Sequence, residues 1–392
     1  MRLITDDERR ARLGLRHALA GPAASVEEAV EAVVCLHATE PANLYLSAFA
    51  RSGAPRAEVE RALYEDRTLV RQLAMRRTVF AFPRDVLPAV RGSASARVAA
   101  QLAARLAKDV EANGLADDGA AWVRDACAAV VARVRERPAT TAQLRAAVPA
   151  LELRLIMAPG KAYGAEVPIA SRVLSTLAAD GAVLRGRNEA GWKVSRPFWT
   201  AAEDWLGEPP ETLEERAGYA ELVARWLARF GPGTEADIAW WLGATKGAVR
   251  RALSDVDAVA VALADGSPAW VHPEDTAEIA SPAPWAALLP ALDPTSMGWK
   301  DRGFYLGEHV PAIVDRNGNA GPTAWWDGRI VGGWTQEADG TVVVVPCEGL
   351  PSAAERPLTD AAQRLTDWLA GDVVRTVYQS PLVRAGAATN AG

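Results

Sequence analysis

Residues 285–334 hold the feature that most restricts how this chain can fold: WAALLPALDPTSMGWKDRGFYLG, and shortly after it VDRNGNAGPTAWWDGRIVGGW. Tryptophan, glycine, proline, asparagine and both signs of charge crowd together here, while the rest of the chain is alanine-rich and helical in pattern. The glycines and prolines would break an amphipathic helix. The segment therefore reads as short strands joined by tight turns, with Asn317-Gly318 and Asp327-Gly328 as the strongest hairpin signals. Trp299, Trp325, Trp326 and Trp334 are expected in the core of that β-rich domain, where large rings bury most area.

The chain has 392 residues and is 49% hydrophobic, enough for packed cores in roughly two to four domains. Cys35, Cys127 and Cys347 lie far apart with no C-x-x-C spacing, which predicts neither a disulfide framework nor a zinc knuckle. No metal and no other cofactor is expected. The opening MRLITDDERR has no apolar segment behind it, and no apolar run reaches the ~18 residues a spanning helix needs. A cytoplasmic protein with no membrane partner is the expectation. The net charge of −6 argues against indiscriminate coating of nucleic acid, but leaves room for one basic face. Nucleophile-elbow, Walker, H-E-x-x-H and Rossmann glycine motifs are absent, so the common hydrolase and nucleotide chemistries have no support.

One local pattern recurs three times before residue 275. ERAGYAELVARWLARF (215–230) has helical apolar spacing, Gly-Pro-Gly stops it, and Thr234 caps a second helix ahead of KGAVRRAL. The alternating runs DAVAVAL and PAWVH then predict a hairpin, which completes the order of a winged helix. A second copy has a helix over 119–136, a short helix from Thr141, a third in VPIASRVLSTLAADG, and a hairpin AVLRGRNEAGWKVS. Arg185, Arg187 and Lys193 lie near that hairpin's tip, where cations reach a phosphate backbone. The first copy is less regular. It contains DDERRARLGLRHAL, then SVEEAVEAVVCLHA with Ser25 and Glu28 in capping-box spacing, and RQLAMRRTVFAFP read as one strand carrying Arg71, Arg76 and Arg77. Residues 276–284 read as a linker. The expected architecture is α+β, three tandem winged-helix modules followed by a C-terminal β-barrel-like domain. Its boundaries are 1–118, 119–212, 213–275 and 285–392, with one helix over 353–370 and DVVRTVYQSPLV closing the last domain.

In CLHATEPANLYLSAFARS, QLAMRRTVFAF, LLPALDPTSMGWKDR and VDRNGNAGPTAWWDGRIVGGW, taken in order, the chain resembles the bacterial tandem winged-helix proteins that include the AlkZ-like DNA glycosylases and their YcaQ relatives. The resemblance implies a concave channel that takes damaged double-stranded DNA as its partner. It also implies a monomeric, monofunctional glycosylase that hydrolyses the N-glycosidic bond of alkylated purines or bulky adducts without a metal. The family carries Gln-x-Gln or Gln-x-Asp where this sequence has His37-Ala38-Thr39.

That position makes His37, Thr39 and Glu40 the catalytic candidates. A cationic alkylpurine is already a good leaving group, so the site must steady an oxocarbenium-like sugar and aim a water. A neutral imidazole can accept the proton of that water, and Thr39 can orient it but is too weakly basic to replace a carboxylate. Two readings stay open for His37, catalysis or satisfaction of a backbone carbonyl at a helix end. Thr39, ahead of Glu40-Pro41, is also a natural N-cap. Arg71, Arg76 and Arg77, together with Lys300, Arg302, Arg316, Asn317 and Asn319 around the NGN turn, are the remaining candidate DNA contacts. The alternative to an enzyme is a winged-helix DNA-binding protein that kept the scaffold without the chemistry.

Overall fold

The computed structural model describes residues 1–390 apart from 159, 161–163 and 210. The protein is a mixed α+β structure that divides into two compact units. One comprises Met1–Thr68 and Ala220–Gly392, the other Leu69–Tyr219.

In the discontinuous unit, Thr234 accepts a hydrogen bond from the Asp237 N–H and caps helix Glu235–Leu242, with the full reciprocal capping box. Helix Lys246–Asp255 and the antiparallel strands Val259–Leu263 and Pro268–Val271 follow, as the sequence pattern predicts. A third strand, Arg2–Ile4, lies parallel to Val259–Leu263 and was not foreseen. Phe230 stacks on Trp226 at 5.6 Å and meets Trp299 edge-on at 5.3 Å. A Cβ on Gly298 would come within 2.4 Å of the Phe230 ring, so glycine there is a packing requirement.

The C-terminal sheet is a four-stranded antiparallel meander of Ala286–Leu289, Thr323–Trp326, Arg329–Gln336 and Val342–Pro346, in that spatial order. Its first and last strands do not pair, so the expected barrel is not closed. Four short strands are too few to wrap around a core, since even the small OB-fold barrel uses about five. Helix Ser352–Leu369 covers one face with Ala354, Leu358, Ala361 and Leu365 instead. Residues 372–379 form no strand and so do not close the sheet, and helix Pro381–Asn390 follows. The Asp327-Gly328 signal is a hairpin turn with both residues left-handed (φ 45° and 79°), joining Trp326 to Arg329. Trp299, Trp325 and Trp334 are core residues, and their indole N–H groups donate to the oxygens of Pro232, Thr323 and Leu289.

In the continuous unit, helix Gly119–Glu136 ends before Pro138, and Thr140 with Gln143 forms a capping box for Thr141–Ala147. Helix Ala170–Asp180 and the hairpin Val183–Asn188 with Pro197–Ala201 complete the expected order, after an inserted hairpin Arg154–Met157 with Ala165–Pro168. RQLAMRRTVFAFP is not one strand. It is a hairpin of Leu69–Leu73 with Val79–Pro83, folded over at Met75–Arg77. Arg76 and Arg77 are both left-handed (φ 54° and 60°), a geometry that normally selects Asn or Gly.

Candidate active site and nucleic-acid interface

The candidate motif lies where the two-residue strand Leu36–His37 gives way to helix Pro41–Ser52. His37 is 8% exposed, Thr39 is exposed, and Glu40 is half-buried. His37 therefore does not end a helix, since the preceding helix is only Val26–Glu31. Thr39 is not the helix cap either. Pro41 takes the first helical turn and forces the residue before it to be extended, which moves the cap to Glu40 (φ −92°, ψ 112°, with no side-chain cap bond).

The Pro41 helix carries Asn43, Ser47 and Arg51 four residues apart, hence on one face, and all three are buried. Each reaches the LDPTS segment or the residue just before it. The Asn43 amide donates to the Ala291 carbonyl at 2.9 Å, and the Ser47 hydroxyl to Asp293 at 2.6 Å. Arg51 donates to both Asp293 oxygens at 2.9 and 2.7 Å, and to the Thr295 hydroxyl at 2.8 Å. Burial alone would raise the Asp293 pKa. The Arg51 guanidinium, with the donors from Ser47 and the Thr295 N–H, outweighs it and holds the carboxyl below its ordinary range. His17 completes the network, with Nδ1 2.9 Å from the Thr295 hydroxyl and Nε2 3.2 Å from the Arg229 carbonyl. Burial, reinforced by the Arg51 charge, pushes its pKa down to about 3, so the ring is neutral. A polar stripe at four-residue spacing on an otherwise apolar helix was the sequence signal for this network.

Glu40 holds residues 372–380, which run as a strap between the last two helices. Its Oε1 accepts the Val377 N–H at 2.9 Å, while Oε2 accepts the Thr376 hydroxyl at 2.6 Å and the Asn43 amide at 3.1 Å. The strap is also fixed upstream, where Gln336 accepts the Val374 N–H at 2.8 Å and donates to the Asp372 carbonyl at 3.0 Å. Downstream, Tyr378 packs against the cluster of Leu292, Met297 and Ala320. Burial raises the Tyr378 pKa, and the charges of Glu40 and Asp315 raise it further.

In that turn Asp315 accepts the backbone N–H groups of Asn317 and Asn319 at 2.8 and 2.9 Å, and the Asn319 amide at 3.1 Å. Burial opposes its ionisation, but these donors prevail and its pKa is lowered. Arg302 is buried under the turn. Its guanidinium donates to the carbonyls of Trp299 (3.1 Å) and Gly318 (2.9 Å) and lies 5.1 Å from the Trp240 ring. It braces the turn rather than facing outward. Arg316, Asn317 and Lys300 are exposed, whereas Asn319 is half-buried and bound to Asp315. The strap thus meets Glu40 through Thr376 and Val377, and through Tyr378 the cluster that contains Ala320, the residue after the turn.

The other candidate cations belong to the continuous unit. Arg71 is buried and donates to the carbonyls of Arg185 (3.1 Å) and Gly186. Arg185 lies 4.6 Å over the Trp199 ring, and burial, then the Arg71 charge, lowers its pKa to about 10. These two arginines brace the hairpin from inside, instead of lining its tip. Arg77, Arg187 and Lys193 are exposed, and Arg76 is half-buried.

The family model for DNA glycosylase AlkZ-like proteins matches residues 30–368, which include the His37 motif, both hairpin segments and the LDPTS segment. The chain belongs to the AlkZ-like DNA glycosylase family. Among solved structures, the DNA glycosylase AlkZ of Streptomyces sahachiroi shares the fold with a TM-score of 0.72 and 20% identity, over 96% of this chain and 100% of that one. None of the curated proteins matches it. Among the described residues, no helix is long and apolar enough to cross a membrane, and no cluster of three His, Cys, Asp or Glu side chains could hold a metal ion.

Proposed function

We propose that the protein binds damaged duplex DNA as a monomer and hydrolyses the N-glycosidic bond of an alkylated purine, with no lyase step and no metal. The observation that carries this reading is the family match across the His37 motif, in a chain whose Pro41 helix is locked to the LDPTS segment by a buried ion pair. A buried His37 two residues from an exposed Thr39 suits a water-directing pair with the imidazole held inside and the hydroxyl at the rim of the site. His37 accepts the water proton, Thr39 orients the water, and the carboxylate of Glu40 supplies negative charge near the developing sugar cation. The helix–helix–helix–hairpin order of 119–201 and 215–271 supports winged-helix modules, with Arg187, Lys193 and Arg77 as phosphate contacts. In the cell such an enzyme would work in the cytoplasm, on the nucleoid. The lesions it takes would be small N7- or N3-alkylpurines or bulkier adducts of the same bases.

One observation favours a second reading, a DNA-binding protein without catalysis. Both oxygens of Glu40, the nearest carboxylate, already accept hydrogen bonds from the strap. Incubation with duplex DNA carrying N7-methylguanine, followed by alkali, separates the two. Strand breaks at the lesion, lost in His37→Ala with DNA affinity retained, support the enzyme. Salt-dependent binding with no base release on methylated or bulky-adduct duplexes would leave only the binding protein.

A further inference from the structure

Val377 is 84% exposed, more than any other large apolar side chain of the described residues. Single exposed apolar residues are ordinary and need no explanation. Its setting is what distinguishes this one. The Val377 N–H is bound by Glu40, next in sequence to Thr39, and the flanking Thr376 and Tyr378 turn partly inward to Glu40 and to the Leu292 cluster. Thr376 and Tyr378 are half-buried and alternate with Arg375, Val377 and Gln379, which are exposed. A cation, a short rigid hydrophobe and a two-way hydrogen-bonding amide are the side-chain types that contact phosphate, unstacked base steps and base edges. The exposed Arg316 and Asn317 belong to the turn that leads into Ala320, a member of the cluster that Tyr378 packs against. Residues 372–380 lie beyond the stretch that the family model matches.

Resting on the DNA reading above, we propose that residues 375–379 are the element that enters the stacked duplex beside the His37 motif. Val377 acts as the wedge at the damaged step, Arg375 contacts an adjacent phosphate, and Gln379 reads a base edge. Glu40 is then a positioning residue that fixes the wedge relative to Thr39.

The test uses the full chain and a duplex with 2-aminopurine next to a tetrahydrofuran abasic analogue. Wild type should bind with a rise in fluorescence as the step unstacks. Val377→Ala, a change at an exposed side chain that does not threaten folding, should bind but lose most of that rise. Arg375→Gln should lower the slope of log K against log salt by about 0.9, one phosphate contact. A full rise with Val377→Ala, no rise in wild type, or an unchanged slope with Arg375→Gln overturns the proposal while leaving the DNA reading intact. Failure of wild type to bind duplex DNA at all overturns both.

Discussion

Arg51 and Asp293 form a two-pronged ion pair in which neither side chain has any solvent exposure. Charges cannot be left there singly, because an uncompensated buried ion loses its hydration with nothing in return. The pair therefore couples the helix that follows the His37 motif to the LDPTS segment as an all-or-none contact.

Asp293→Asn should destabilise the protein by about 3–5 kcal/mol, because the guanidinium of Arg51 stays buried without its counterion. Urea denaturation gives the number. A cost below about 1 kcal/mol, the range of surface pairs, would mean that the helix is anchored by other means.

His17 makes stability depend on acidity. Its folded pKa of about 3 lies below the unfolded value of 6.5, so the unfolded chain binds the extra proton between those limits and stability falls as pH falls. Between pH 7 and pH 5 the loss from this one ring is about 2 kcal/mol. His17→Gln, although less stable at neutral pH, should show a shallower dependence of the urea midpoint over that interval.

The turn at Arg76 and Arg77 places two long, charged side chains where the backbone is left-handed, at a cost of about 1 kcal/mol or more each. The double substitution Arg76→Asn with Arg77→Gly should raise stability by about 1 kcal/mol and weaken DNA binding with a smaller salt slope. Thermal melts and salt-titrated binding test both halves. Unchanged DNA affinity would remove the functional reason for arginine at these positions.

Glu40→Gln separates chemistry from positioning. An amide still accepts the Val377 N–H but sets its own donors against Thr376 and Asn43. A positioning role predicts slower base release with an unaltered pH profile. A general base at Glu40 predicts that the acidic limb of the profile disappears.

Much of the helical framework could be read from the sequence, because its punctuation is local. Thr234, Thr140 with Gln143, Pro138 and Asp327-Gly328 each act through backbone groups within four residues, and each does what its residue type dictates. What failed depended on distant partners. Arg2–Ile4 becomes a strand only by pairing with Val259–Leu263, and the Met75–Arg77 turn lacks the glycine or asparagine that would announce it. The candidate site divides the same way. Exposed Arg316 and Asn317 follow from a polar turn, but Arg71 and Arg302 proved internal because backbone carbonyls from elsewhere in the fold claim their guanidinium groups. No local pattern announces an arginine's acceptor when it comes from another loop. The anchoring of the strap was not legible because it depends on Glu40 and Gln336, which lie far from it in the chain.

The parallel pairing of Arg2–Ile4 with Val259–Leu263 also sets an order of events during synthesis. Residues 2–4 leave the ribosome long before their partner and have no sheet to join until the hairpin of Val259–Leu263 with Pro268–Val271 has emerged. At ~5–20 residues per second that interval lasts on the order of ten seconds or more. Throughout it, Leu3 and the bare edge of the nascent strand stay open to other chains, so protection by a chaperone is most needed around Arg2–Ile4.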